Sequence, residues 1–414
     1  MKKLAITVGY IILLFFILPI SIAVAQHALP VSTKIPTVPF EPVNGDRVVF
    51  LGNSLFENDL QYGYLELALT TRWPNRNITF RNIGWTGDTV WGEARSYISP
   101  PSTYDLLIEQ LTKAQPTIVF IAYGAMEALE GEQGLPRFRE GLNKLMDKID
   151  QLGAKAILLS PIPIMKAGST EDIGKRSAML ELYTSAIAKI ANEHSKPFIN
   201  VYTPLLEKNI TTKLSDNGFH LNETGYYYLA SVIEKELGLR TRNETISIDM
   251  SKHAIDTTVT MKVLNWGKND NNLTFTINEP LLPLPLPKQE GEVAEKTRIL
   301  KITGLKKGIY ILSNPELQVI TASAKQWKEG VAIKQGASFN QANQLRDMII
   351  KKNELYFHQY RPQNKTYILG FRSHEQGRHT KGLEELTIII TWLEGQIAVN
   401  RVPKEITYQL TPVK

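Results

Sequence analysis

The 414-residue chain has no cysteine, so neither a disulfide nor a thiolate metal site can form, and stability must come from burial. It has no P-loop and no dinucleotide fingerprint, so no nucleotide cofactor is implied. No solenoid period repeats along it. Net charge is +6, from 47 Lys and Arg against 41 Asp and Glu. The two signs are interspersed, and no basic stripe suited to phosphates stands out, so nucleic acid is not an expected partner. Only one apolar run approaches membrane length, Leu4 to about Val24, behind Lys2 and Lys3 and ending in the small-x-small Ala23-Val24-Ala25. Residues 1–25 read as a secretory signal peptide removed before Gln26. An uncleaved membrane anchor is the other reading of so long a run. No cysteine follows it, which excludes lipoprotein anchoring. Export of this kind points to a bacterial periplasm or exterior.

What is present changes character along the chain, and the length calls for two or three domains. Residues 26–44 carry Pro30, Pro36, Pro39 and Pro42 and read as an extended linker. From 45 to 241 the runs "RVVFL", "NITFRN", "TIVFIAY", "AKAILLS" and "PFINVY" alternate with amphipathic stretches such as Leu135 to Gly153 and Lys175 to His194. Continuously apolar runs suit strands covered on both faces, and strand–helix alternation predicts a parallel sheet between helical layers. From 242 to 335, "ETISIDM", "TVTMKVLNW", "TRILKITGL" and "GIYILS" alternate with period two between Pro-, Gly- and Asn-rich connectors. They predict a small antiparallel β region. From 336 to 414 the pattern turns helical, predicting a helical tail.

Ligands of open parallel sheets bind beyond the carboxyl ends of strands. Three such ends stand out: Gly52-Asn53-Ser54, Asn82 to Thr89, and Tyr123 to Glu127. A fourth segment, "SDNGFHLNETGY" from Ser215 to Tyr226, brings an acid and a histidine together. A serine hydroxyl needs a base within hydrogen-bond reach to act as a nucleophile. Of the two histidines between 45 and 241, His194 lies on a polar helix face and reads as a surface residue. His220 lies at a helix start.

In this order and at these distances, the four segments resemble the blocks of the SGNH or GDSL hydrolases over about Gly45 to Arg240. The resemblance implies a three-layer, flavodoxin-like α/β fold with Ser54 as nucleophile and His220 as base, then acid. The family usually places a carboxylate three residues before the histidine. Here that place is Asn217 and Asp216 lies four back, and Asp216 is expected to orient the ring. The oxyanion would be held by the amides of Ser54 and Gly87 and, in the family, by a third-block asparagine. This chain has Met126 there, which donates nothing. Losing one such donor costs roughly 10²–10³ in rate, and the Asn53 amide is a candidate substitute. Trp85, with Trp91 near it, could stack a sugar or simply pack. Glu127 could bind substrate or cap the next helix. The segment Arg361 to Gly377, with "GLKKGIYIL" and "QWKEGVAI", is similar to the long SGNH proteins of planctomycetes and related bacteria. Its Arg372, His374 and Glu375 lack a second histidine at ligand spacing, so no metal is expected, and a polar network between tail and main domain is the preferred reading.

The resemblance thus implies an exported serine esterase that removes O-acyl groups, O-acetyl being expected, from a carbohydrate. An acyl-serine would form without metal or cofactor. Met126 and the shifted acid leave open a second reading: a scaffold without turnover that serves as a carbohydrate-binding or structural module.

Overall fold

The computed structural model describes residues 40–96, 100–165, 171–242, 244–257, 259–267, 272–288, 298–361 and 380–413. The signal segment, most of the linker, and Arg372, His374 and Glu375 lie outside them. Val48 to Leu51 are buried without exception and form the middle of β1 (Arg47–Gly52). Val48 and Phe50 enter one apolar cluster, Val49 and Leu51 another. A strand turns successive side chains to opposite faces, so an unbroken apolar run is what a sheet with two covered faces requires.

Four more strands complete that sheet: β2 (Thr79–Asn82), β3 (Ile118–Ala122), β4 (Lys155–Leu159) and β5 (Phe198–Ile199). The order is β2-β1-β3-β4-β5, every pair parallel. The order doubles back between β1 and β3, so the carboxyl ends of these two strands flank the crevice where such sheets bind ligands. The helices are α1 (Ser54–Asp59), α2 (Tyr64–Arg72), α3 (Thr103–Ala114), α4 (Leu135–Gln151), α5 (Glu171–Glu193), α6 (Tyr202–Asn209) and α7 (Glu223–Glu236). Helices α2 and α7 pack on one face, and α3, α4 and α5 on the other. The expected three-layer arrangement is there.

Beyond it come β6 (Glu244–Asp249), β7 (Ala254–Asp256), β8 (Thr260–Trp266), β9 (Leu273–Asn278), β10 (Arg298–Thr303), β11 (Ile309–Ser313), β12 (Gln318–Ser323), α8 (Ala324–Glu329) and β13 (Val331–Ala332). With β14 (Ile406–Pro412) they form two sheets, β13-β10-β6-β7 and β12-β11-β14-β9-β8, which share a core that includes Ile246, Phe275, Leu300, Tyr310 and Trp327. The second sheet is antiparallel throughout, whereas β6 and β10 in the first run parallel. The predicted helices of the tail are α9 (Ala337–Tyr360) and α10 (Thr380–Asn400). The tail also holds one element its helical pattern did not announce, β14 (Ile406–Pro412), which inserts between β9 and β11. Ile406, Tyr408 and Leu410 alternate inward there, so the end of the chain completes the β region.

Helices α9 and α10 close the β2 side of the first sheet. Ala342, Leu345, Ile349 and Ile397 join one of its apolar clusters, Tyr356 and Ile390 the other. Lys352 Nζ meets both Glu66 carboxylate oxygens at 2.8 Å and the Phe80 carbonyl at 3.0 Å, and Arg81 of β2 pairs with Glu394. Among the described residues no helix is long and apolar enough to cross a membrane.

Candidate active site

Strand β1 ends where it runs closest to β3: a Cβ on Gly52 would lie 2.5 Å from the Ala122 carbonyl oxygen, so only glycine fits. The chain then turns straight into α1. Asn53 is the N-cap, its Oδ1 accepting the Leu55 N–H at 3.2 Å, the role for which asparagine is well suited. Ser54 is thereby set as the first residue of the helix, half-buried. Among the described residues its Oγ has no hydrogen-bond partner, and neither has the Asn53 Nδ2, although Asn53 is only 4% exposed.

The histidine arrives on a closed loop. A bridge between Ser215 and Leu221 pinches it off, the Ser215 hydroxyl accepts the Gly218 N–H at 2.8 Å, and Gly218 takes a left-handed φ of 83°. The Gly218 carbonyl in turn accepts the Met165 N–H at 2.8 Å. Asn222 caps α7 by accepting the Gly225 N–H. Helix α7 is held to α1, the helix that Ser54 begins, by the Tyr226 hydroxyl, which donates to the Leu55 carbonyl at 2.7 Å. Ser54 and His220 consequently line one cavity of about 220 Å³. No hydrogen bond joins them. Most of the rest of the lining is apolar, including Ala125, Met126, Leu129, Ile162, Leu180 and Phe219, with Arg176 at its exposed edge.

The ring's neighbour is not the expected one. Asn217 Nδ2 lies 3.1 Å from His220 Nδ1. Asp216 turns away: it pairs with Lys213 at 2.9 Å and receives the Asn222 amide at 3.5 Å. Lys213 holds its carboxyl below the usual range. The turn explains the exchange: both residues are exposed, but Asn217 Oδ1 gathers the N–H groups of Phe219 and His220 and so holds its amide beside the ring, while Asp216 faces Lys213.

The second and third blocks are built around buried polar groups rather than around the cavity. Asp88 accepts from Arg95 Nε at 2.8 Å and from the Tyr123 hydroxyl at 2.9 Å, and burial raises its carboxyl against the pull of Arg95. Glu127, 2% exposed, accepts the Val90 and Gly124 N–H groups at 2.8 Å each. It clasps block three to block two and is not among the residues that line the cavity. Burial pushes its carboxyl up to about 7. Gly87 has a left-handed φ of 82° but is not among the cavity-lining residues. Trp85 is 9% exposed, with the Arg361 guanidinium 3.9 Å from its ring centre and Arg95 at 5.4 Å. It is a packed ring, not a sugar platform. Trp91 donates to the Arg137 carbonyl at 3.2 Å, outside the cavity lining.

Sequence reasoning missed the groups that brace block two. Glu57, one turn behind Ser54, accepts the Thr86 N–H and the Arg361 guanidinium. The Tyr360 hydroxyl donates to the Gly84 carbonyl at 2.8 Å. Gly84 must be glycine, since a Cβ there would sit 2.5 Å from the Glu57 nitrogen. Glu57 at one turn's spacing from the serine was the available signal; the tail contacts had none. Among the described residues no group of three or more acidic or imidazole side chains is arranged to hold a metal ion.

Residues 50–228 match the family described as GDSL-like Lipase/Acylhydrolase. Among solved structures, a gut microbial diltiazem-metabolizing enzyme is similar over 91% of this chain and 99% of its own, with a TM-score of 0.67 at 18% identity. Its likeness extends through the β region and tail. The acetylxylan esterase Axe2 of Geobacillus stearothermophilus is 18% identical, over 49% of this chain and 98% of its own, with a TM-score of 0.38. The acetyl xylan esterase AlAXEase is also 18% identical, over 46% and 98%, at 0.38. No curated protein sequence matches.

Proposed function

We propose, from the match of residues 50–228 to the family described as GDSL-like Lipase/Acylhydrolase, that the chain is a serine ester hydrolase removing O-acyl groups from a carbohydrate. Ser54 Oγ attacks the ester carbonyl while its proton passes to His220 Nε2. That proton then goes to the departing alcohol oxygen, leaving an acyl-serine that water hydrolyses by the same route. The oxyanion is held by the backbone N–H of Ser54, with the Asn53 Nδ2 in the place that Met126 cannot fill; the Gly87 N–H, expected as a further donor, belongs to a residue outside the cavity lining.

The observation that carries the reading is the shared cavity: Ser54 and His220 come from opposite ends of the domain's sequence and line the same space. Its apolar walls suit the acyl group. An apolar cavity of roughly 150 Å³ holds benzene, so this one has room beyond acetyl. The saccharide as leaving group, and export after cleavage before Gln26, complete the proposal. Both rest on the N-terminal segment and the appended β region, and N-terminal sequencing of the mature protein checks the second.

Two observations favour a second reading, a binding module without turnover: Met126 offers no donor, and the ring's partner is the Asn217 amide. A fluorophosphonate probe separates the two, because it labels only an activated serine. Labelling that disappears in Ser54→Ala, with acid released from acylated polysaccharides, supports the hydrolase. No labelling together with measurable glycan binding supports the module.

A further inference from the structure

Asn217 stands three residues before His220, and the loop fixes which way its amide faces. Oδ1 accepts the Phe219 N–H at 2.9 Å and the His220 N–H at 2.8 Å, with the Ser215 hydroxyl at 3.4 Å. An amide nitrogen cannot accept those bonds, so Nδ2 is the atom turned to the ring. It can only donate. Nδ1 must therefore accept, and a neutral imidazole that accepts at Nδ1 carries its proton on Nε2. We infer that Asn217 is a positioning residue that holds His220 in the Nε2–H tautomer, so that the site rests with its base switched off.

The inference rests on the reading of Ser54 and His220 as nucleophile and base. Transfer of the Ser54 proton needs a bare Nε2, and here that nitrogen is already protonated. The productive tautomer, with the proton on Nδ1, sets N–H against N–H across the 3.1 Å contact. Turning the amide over relieves that conflict but faces its NH₂ toward two backbone N–H groups. Either route gives up hydrogen bonds, so the productive tautomer is the minor one and turnover runs through it. Asn217 also supplies no charge to offset the imidazolium formed when Nε2 takes the proton. Asp216 does not relieve either problem, because it faces Lys213. A carboxylate at 217 would relieve both: one oxygen keeps the backbone N–H groups and the other accepts the Nδ1 proton. When a triad histidine loses its carboxylate partner to an amide, the wrong tautomer lowers kcat about 10⁴-fold.

The test uses the full chain and Asn217→Asp. With a chromogenic ester, kcat rises roughly 10²–10⁴-fold while KM changes little. In ¹⁵N-labelled protein near pH 8, where imidazole is ordinarily neutral, the His220 nitrogens report an Nε2–H tautomer in the wild type and Nδ1–H in the variant. A wild-type Nδ1–H signal, or an Asn217→Asp kcat within about threefold of wild type, overturns the inference. If the wild type shows Nε2–H and Asn217→Asp moves it to Nδ1–H, yet neither protein hydrolyses any ester in a Ser54-dependent way, the tautomer assignment stands and the hydrolase reading falls.

Discussion

The β2 side of the sheet and the cavity at the strand tips differ in how they treat charge. On the β2 side, α9 and α10 bury charge and match it: Lys352 and Glu66 are 1% and 4% exposed and bonded through both carboxylate oxygens. Asn353 adds a third bond to Glu66, and Arg81 meets Glu394. At the cavity, the half-buried Ser54 Oγ and the Nδ2 of buried Asn53 have no partner among the described residues. Burying an unmatched group costs free energy, so a fold leaves such groups where something else can meet them. One region is arranged for stability, the other for an incoming ligand.

The sharpest way to break that contrast is to exchange one residue from each region. Ser54→Ala removes the proposed nucleophile, and ester cleavage should fall by on the order of 10⁴ or more, while the unfolding midpoint stays put because the hydroxyl bonds nothing among the described residues. Lys352→Met should do the reverse. It strands the Glu66 carboxylate in the interior and should lower stability by about 3–5 kcal/mol, with kcat per folded molecule unchanged. Denaturant melts read the first quantity and initial rates the second. Adding Glu66→Gln to Lys352→Met should recover much of the loss, since the stranded charge is what costs. If Lys352→Met melts like the wild type, the pair contributes nothing and the contrast is false.

Within the cavity, Asn53→Asp is the next largest change. Aspartate caps a helix as well as asparagine does, so α1 should form as before. The N–H donor is lost and a negative charge is set beside the forming oxyanion, and kcat should drop roughly 10²–10³-fold. Adding Met126→Asn should restore part of it, because asparagine returns a donor from the neighbouring block. A drop confined to KM would mean that Asn53 binds ground state and transition state alike.

The sequence made the three layers legible because their signal is local: apolar runs of strand length between amphipathic stretches. That Ser54 and His220 line one cavity was legible only through the order of the four blocks, since nothing near Ser54 points to a residue so distant. The orienting group was misjudged between neighbours, 216 and 217, because charge suggested one and the turn selects the other. Asn217 Oδ1 is drawn in by two backbone N–H groups, a preference of asparagine in turns that outranks the attraction of a carboxylate tied to Lys213. Trp85 and Glu127 were offered as substrate contacts because they border the blocks. Both are packed from behind by residues that only the fold brings up, Arg361 for one and Val90 for the other. Strand β14 escaped because its alternation follows a long helical stretch, and its partners β9 and β11 are far back in the chain.

Glu127 gives the smallest effect and the finest test of the comparison. Like Glu66 it is a buried carboxylate, but its hydrogen bonds come from backbone N–H groups, and Asp88 nearby carries a charge of its own sign. Burial therefore raises its pKa to about 7, above the ordinary value. The native state then binds the proton more tightly than the unfolded chain does. The stability this contributes is fully present below about pH 4.5 and is lost as pH rises through about 7. Glu127→Gln cannot titrate, yet its NH₂ must face one of the two backbone N–H groups, so the variant starts below the wild type at pH 5. Between pH 5 and 8 the gap should narrow by on the order of 1–3 kcal/mol as the wild-type carboxyl ionises, read from denaturant midpoints at each pH. A gap that stays constant would mean the carboxylate is as well matched as the one that Lys352 meets, and the clasp between the two blocks would belong with the stabilised side of the molecule.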